Sequence, residues 1–596
     1  MTLRARRALG MAALMVGSSC SASSVSTTAT NLKPITTEVA AASVPTPTEP
    51  VATAPAHARC LPADTEGEVV LWHSLGGDVA GDVMIQLQDE FNRTHTAHLT
   101  TKHVGGDPEM VDALARTPVE DWPDIVVTSE NITRTLVDTK RFLAPASCDA
   151  QVGNDMFPVV RQTYTVDGEL QALPWGVSLP VLVFDAAKFR KAGLDVAAPP
   201  LTLTELLQDS EALSRSGVSP QGLVLSDWCA NVVLEQYAAK RGEPVAPPDD
   251  GHATREFAVD LETPDNIADL RALRDGVEAG HVQWMGGNPS GFDDLLNIAV
   301  PDGGAVMAIH TAAALGDVIS LLDGGNFPGV ELGVGPLPGP GPGSLIGGNA
   351  LWLADPDDAT VAGRAWEAID WLYQPEQLAT LAAATGYVPP TESASRQPVL
   401  LESWAKHPQL RVAYDQMLAT PVTTASSGLV LGPSIDFDFI LFDACTKIIT
   451  GGADIDTTLR QTSSLVNDIV SDYDAEQTIG VVVPDEPITS GLPGDSAVEI
   501  RGSVACASGS QVVGVWIEAE AGGSGFAKHS KGAGGSSDFA FTLSSGGRYR
   551  VEVGCGGTEQ RWATNNKSPF VSGSQLSFVC DDSTSPDPTS EACQQL

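Results

Sequence analysis

Acidic side chains placed at strand ends, together with Trp, Tyr and paired Gly, are the groups in this chain best suited to chemistry, and that chemistry is recognition. Three such ends stand out: Trp72-His73-Ser74, Val104-Gly105-Gly106-Asp107 and Ser129-Glu130. Carboxylates there can take two hydroxyls each, aromatic rings can cover an apolar C–H face, and glycine lets a ligand approach the backbone. Catalytic sets are missing. There is no nucleophile elbow, no phosphate loop and no metal-ligand spacing. Only paired carboxylates stay open as a catalytic device, because any fold brings distant ones together. No enzyme, cofactor or metal is therefore expected.

The elements that position these residues follow from periodicity. Glu68 to Ser74 reads as a strand, Asp82 to Phe91 as a helix with Val83, Leu87 and Phe91 on one face, and Ala97 to Val104 as a second strand. Glu109 to Arg116 reads as helical and Pro123 to Thr128 as a buried strand. That alternation predicts an α/β lobe with a mostly parallel sheet, whose ligands sit at the carboxyl ends of the strands. Farther on, Ile346 to Pro390 carries its own signals. Asp357 or Asp358 caps a helix with Ala365, Ile369, Leu372 and Tyr373 on one face. Pro375 starts the next helix, and Gly386 is expected to close it as a left-handed residue.

At 596 residues, about two to four domains are expected. Acidic residues number 75 against 34 basic, a net charge of -41, which argues against a nucleic-acid partner. Arg4, Arg6 and Arg7 precede a short apolar run, Ala8 to Val16, and then Gly17, Ser18, Ser19 and Cys20. Residues 1–20 resemble a lipoprotein signal in which Cys20 carries the lipid, although Gly17 stands where Leu is usual; simple cleavage and release is the alternative. Residues 21–58, rich in Ser, Thr, Ala, Val and Pro, read as a tether. The expected location is the outer face of the cell membrane, or the periplasm or cell envelope. Without Cys20, eight cysteines are left, an even number where disulfides persist. Cys60 with Cys148 and Cys229 with Cys445 are the expected pairs. Cys506, Cys555, Cys580 and Cys593 pair among themselves in one of three ways. A linker at 481–496 leads to β-rich segments over 497–582, expected to form a small all-β sandwich, and a tail at 583–596.

The order Gly-Gly then Trp, two helices, and Thr-Gly-Tyr-x-Pro resembles the solute-binding proteins of ABC importers, above all the glycerol-3-phosphate-binding type. The resemblance covers about Glu68 to Tyr473 over 59–480, with Leu173 to Asp185 and Val306 to Leu315 as crossings between lobes. It implies a two-lobed periplasmic-binding-protein type II fold that closes on its ligand, an ABC permease as partner, and a monomer. It also implies ligand contacts at Glu130, Trp228, Gly348, Tyr387 and Ser178, and it puts Asp107 where the relatives carry a phosphate-contacting tyrosine. His73, ending the first strand, is a further candidate, with a histidine held behind the ligand contacts as the other reading. The relatives' phosphate arginine in L-R-L-G is Val430 here, and their second cleft tryptophan is Asn231. A lost cation and an added anion disfavour a dianionic ligand. The expected ligand is a neutral sugar, small oligosaccharide or polyol. Glycerol-3-phosphate or its diesters is the first alternative. A sensing or adhesion protein using Trp516, Phe526, Trp562 and Phe570 of the β-module is the second, with a sandwich core as the plain reading of those rings.

Overall fold

A computed structural model of the chain describes residues 59–61, 66–75, 78–226, 230–285, 293–299, 304–325, 327–450, 452–478, 498–519, 525–531, 536–543, 548–558, 561–569, 571–582 and 592–595. The expected signal, tether and linker, with Cys20, Trp228, Cys229, Phe570 and most of the tail, lie outside the described residues. The chain divides into two compact units, 1–481 and 482–596.

The first unit holds two α/β lobes. In lobe 1 the strand Gly67–His73 pairs in parallel with Ala97–His103 on one side and Ile125–Ser129 on the other. Gly347–Ala354 then joins Ile125–Ser129 antiparallel, and Leu173–Ser178 pairs with it in turn. Helices Asp78–Thr94 and Ala359–Leu372 pack on this sheet. Val69, Leu71, Ile125, Val126 and Trp352 have no exposed surface, which is why these segments read as apolar runs. Each fully buried side chain of this size contributes about 1.5–3 kcal/mol. Lobe 2 has the strand order Val282–Trp284, Leu223–Leu225, Met307–Thr311, Pro180–Asp185, Leu332–Pro336. Its own core gathers Phe184, Phe189, Tyr237, Met307 and Leu441.

The chain crosses between lobes where expected. Leu173–Ser178 belongs to the lobe 1 sheet and Pro180–Asp185 to the lobe 2 sheet. On the return, Met307 sits in the lobe 2 core and Leu315 in that of lobe 1. Asp358 caps its helix by accepting from Thr360 and Val361, and Pro375 opens the next. Gly386 departs from expectation. It is not left-handed; a Cβ there would lie 1.9 Å from the Ala312 carbonyl oxygen, so close approach is what requires glycine.

Cys60 and Cys148 are bridged as expected, and Cys445 is disulfide-bonded, with its expected partner Cys229 undescribed. In the second unit the open choice resolves to Cys506–Cys555 and Cys580–Cys593. That unit carries a five-stranded and a four-stranded sheet. Ile500, Val504, Phe539 and Phe578 of one and Val515, Ile517, Val551 and Val553 of the other share a single core. The expected strands are present, with Gly525–Phe526, Lys528–Lys531, Arg561–Lys567 and Cys593–Gln595 as additions. Trp516, Phe526 and Trp562 stand on strands of the four-stranded sheet.

Candidate functional site

Glu130 follows directly on the buried strand Ile125–Ser129 and opens a single 3-10 turn. Ser129 accepts from the Asn131 N–H at 3.2 Å, which turns the chain so that Glu130 and Asn131 leave the sheet at its carboxyl end. The neighbouring strand begins with Gly347-Gly348. Glu130 Oε2 accepts from the Gly348 N–H at 2.8 Å, and the Gly348 carbonyl accepts from Tyr164 Oη at 2.8 Å. Gly348 has φ of 109° and a Cβ there would lie 2.0 Å from the Gly176 oxygen, so no other residue fits. Tyr387 closes the group, accepting from Asn349 Nδ2 at 2.8 Å with its ring against Gly176.

Asp107 begins the next helix and reaches back to the adjacent strand ends. It accepts from Ser74 Oγ at 3.1 Å, Thr128 Oγ1 at 2.7 Å and the Ser129 hydroxyl. Those bonds satisfy a carboxylate without a cation. Lobe 2 adds two more acids. Asp438, on the helix Ser434–Ile449, accepts from Asn131 Nδ2 at 2.7 Å and Asn231 Nδ2 at 3.3 Å. Asn231 also donates to Glu235 at 2.7 Å, within a π-helical turn over Asn231–Gln236. Such turns shift side chains out of the regular helical register and recur at functional sites.

The result is a cluster of Asp107, Glu130, Glu235 and Asp438 drawn from both lobes. Burial pushes the Glu130 carboxyl up to about 8, and the charges of Asp107 and Asp438 push the same way. Glu235 and Asp438 share the Asn231 amide and are raised together, first by burial and then by neighbouring acids. Among the described residues no Lys or Arg is recorded in a hydrogen bond or ion pair with any of the four.

Of the residues singled out in the sequence, Asp107, Glu130, Gly348 and Tyr387 thus come together. Ser178 sits at the crossing. Its hydroxyl is 2.5 Å from Thr311 Oγ1 and accepts from the Ala313 N–H at 3.2 Å, so it stitches the outgoing and returning segments. His73 is buried with its ring tilted against His103 at 5.3 Å, and its Nδ1 has no hydrogen-bond partner among the described residues. Burial, then the charge of His103, lowers its pKa to about 4. Val430 is buried and donates its N–H to the Asp250 carbonyl at 2.7 Å. Asn131, Glu235 and Asp438 were not singled out. The signal available for Asp438 was a charge inside the apolar helix I-D-F-D-F-I-L-F.

Two α/β lobes linked by crossing segments, with polar groups of both meeting where the strands end, define a cleft receptor. Over residues 86–412 the chain matches the bacterial extracellular solute-binding protein family, and it belongs to that family of receptors. The sn-glycerol-3-phosphate-binding periplasmic protein UgpB of Yersinia enterocolitica is 27% identical over 380 residues, 61% of this chain and 83% of that one. UgpB of Rhizobium meliloti is 26% identical over 412 residues, 67% and 92% of the two chains. Among solved structures, UgpB of Mycobacterium tuberculosis in complex with glycerophosphocholine superposes with a TM-score of 0.56 at 19% identity, covering 69% of this chain and 99% of that chain. The GacH receptor of Streptomyces glaucescens, solved unliganded and with acarbose, gives 0.56 at 16% identity, covering 68% and 99%. These likenesses show the two-lobed fold.

Proposed function

We propose that this protein is the receptor of an ABC importer, tethered to the outer face of the membrane through Cys20, and that it captures a neutral carbohydrate or polyol between its lobes. One observation carries the reading: four carboxyl groups from both lobes meet, and among the described residues no Lys or Arg is bonded to them. Hydroxyl groups are donors and match such acceptors. Burial that already pushes the carboxyls of Glu130, Glu235 and Asp438 towards their neutral forms disfavours any further negative charge, and a phosphate dianion would bring two. The resemblance to the glycerol-3-phosphate type matches Asp107 and Val430 to its phosphate contacts; here Asp107 is bound to three hydroxyls and Val430 is buried. Glu130, Asp107, Tyr387 and Gly348 shape the site, Trp228 supplies a stacking face, Ser178 holds the crossing, and His73 supports the strand end. Residues 1–20 are the signal, 21–58 the tether, 59–480 the receptor and 497–582 an independent β-sandwich.

The test is thermal unfolding of the mature chain with sugars, polyols and glycerophosphodiesters. A ligand at a hundred times its Kd stabilises by about 2.7 kcal/mol. A neutral sugar should raise Tm, and Glu130→Ala or Trp228→Ala should abolish the shift. A shift with phosphorylated glycerol compounds alone would overturn the neutral-ligand reading.

A further inference from the structure

The segment between the helices Tyr237–Arg241 and Pro264–Glu278 belongs to lobe 2 at both ends, where Val245, Ala246, Val259 and Leu261 are buried in its core. Its middle reaches lobe 1. The Gly251 carbonyl accepts from Arg134 at 2.5 Å, the His252 carbonyl accepts from the Asp167 N–H at 2.7 Å, and Arg255 pairs with Asp138. Beside this strap runs another link between the lobes, since Met417 lies in the lobe 1 core and Leu431 in that of lobe 2. The two are in close contact. The Asp250 carbonyl accepts from the Val430 N–H at 2.7 Å, and a Cβ on Gly251, at φ of 83°, would lie 2.3 Å from the Val430 oxygen. His252 stands where strap, link and lobe 1 meet. Its Nδ1 is 2.7 Å from the Thr165 carbonyl oxygen of lobe 1, and its Nε2 is 3.0 Å from the Gly428 carbonyl oxygen of the link. Carbonyl oxygens only accept, so both bonds need an N–H, and an imidazole carries two only as the cation. The neutral ring would set a lone pair against one of the two oxygens.

We propose that His252 is a pH-sensitive latch: as the imidazolium it fastens the strap to lobe 1, and loss of its second proton loosens the strap and frees the lobes to part. Hydrogen bonds from a charged donor are about twice as strong as neutral ones, so the two protonation states differ in how firmly they hold. The ionisable neighbours come from every element around the ring. The hairpin Thr165–Leu170 brings Asp167 and Glu169, the helix Thr133–Thr139 brings Arg134 and Asp138, and the helix Ile455–Thr478 brings Tyr473 and Asp474. The strap itself adds Asp249, Asp250, Arg255 and Glu256, and residues 426–432 carry no ionisable side chain. Arg134 is paired with Asp167 at 3.4 Å, and Arg255 with Asp138 and Asp474. Asp250 works in the same direction as the histidine. Burial pushes its carboxyl up to about 7, so it supports the fastened strap in acid and withdraws that support as pH rises. The receptor thus holds its lobes together more firmly in mild acid than in mild alkali.

Hydrogen exchange of the mature chain at about pH 5.5 and pH 8, corrected for intrinsic rates, tests this at the Asp167 and Val430 amides, which donate to strap carbonyls. Their protection should fall about ten- to a hundredfold from the lower pH to the higher, the worth of one hydrogen bond to a charged group. His252→Gln keeps amide donors but never ionises, and there the fall should shrink to about threefold or less. Glu130→Gln should keep the full fall, which separates the latch from the acids of the cleft. Ring nitrogen shifts of the unaltered protein give a second readout, needed if His252→Gln does not fold: loss of protection should follow the titration of one of the ten histidines. Equal protection at both pH values, an undiminished fall in His252→Gln, a fall that disappears in Glu130→Gln, or protection that follows no imidazole would each overturn the latch. None of these measurements needs a ligand, so the latch stands or falls apart from the carbohydrate reading.

Discussion

Asn131 donates to Asp438 at 2.7 Å across the divide between the lobes, 307 residues apart in sequence. The same carboxylate takes Asn231 from its own lobe, so one acid ties the Glu130 turn of lobe 1 to the Glu235 turn of lobe 2. Farther from the strand ends, Thr135 donates to the Gly432 carbonyl at 2.7 Å, and Arg255 bridges Asp138 and Asp474. Polar bonds thus tie the lobes at several points, beside apolar contacts such as that of Ile435 with the lobe 1 core.

Removing the Asn131 amide should cost the closed arrangement about 1 kcal/mol, the net worth of one such bond. Asn131→Ala should bind the ligand found by thermal shift about fivefold more weakly, with little change in urea midpoint. Unaltered affinity by calorimetry would mean that the bond plays no part in the liganded state.

Gly348→Ala combines positive-φ strain with a Cβ 2.0 Å from the Gly176 oxygen. The backbone must shift, loosening the bonds to Glu130 and Tyr164. A loss of about 2–4 kcal/mol in urea unfolding is expected. Gly193→Ala is the control. Gly193 is left-handed at a helix end, with open space around its Cβ position, so only the φ strain of about 1–2 kcal/mol should appear. Equal costs at both sites would refute the close-approach argument.

The pH dependence follows from Glu130. Its folded pKa is raised from about 4.5 to about 8, so between those values the native state holds more protons than the unfolded chain. Stability contributed by this group is thus present in mild acid and lost as pH climbs towards 8. Wild-type Tm should fall over pH 5.5 to 8 more steeply than that of Glu130→Gln, which keeps an acceptor for Gly348 but never ionises. A change of 1 kcal/mol moves Tm by roughly 2–4 °C in a domain of a few hundred residues. Parallel Tm curves for the two proteins would show that Glu130 is not held neutral.

Much of lobe 1 was legible because its signals are local. Apolar runs marked strands buried on both faces, Asp358 and Pro375 marked helix starts, and the parallel-sheet rule pointed to Asp107 and Glu130 at strand ends. Lobe 2's share of the site was not. Asp438 and Glu235 acquire meaning only through Asn131 and Asn231, contacts that closure of the fold creates. Gly386 was read by helix-ending rules, whereas the Ala312 backbone, 74 residues earlier, decides it. Arg561–Lys567 lacks a strand-like composition and is held by its ladder with Tyr549–Thr558.

The disulfides should differ in what they contribute. Cys60–Cys148 closes a separation of 88 residues, and Leu61 beside it donates to the Ala359 carbonyl at 2.9 Å. The bridge therefore pins the start of the described chain onto lobe 1. Chain-entropy arguments put such a loop at about 4–5 kcal/mol, against about 3 for the 13-residue separation of Cys580–Cys593. Replacing Cys60 and Cys148 together by Ser should lower the urea midpoint of the first unit and leave that of the β-module unchanged. The reverse is expected for Cys580 and Cys593, read by Tyr549, which is buried in the module's core. If either double replacement destabilised both units equally, the two would not be energetically separate, and the reading of 497–582 as an independent module would fall.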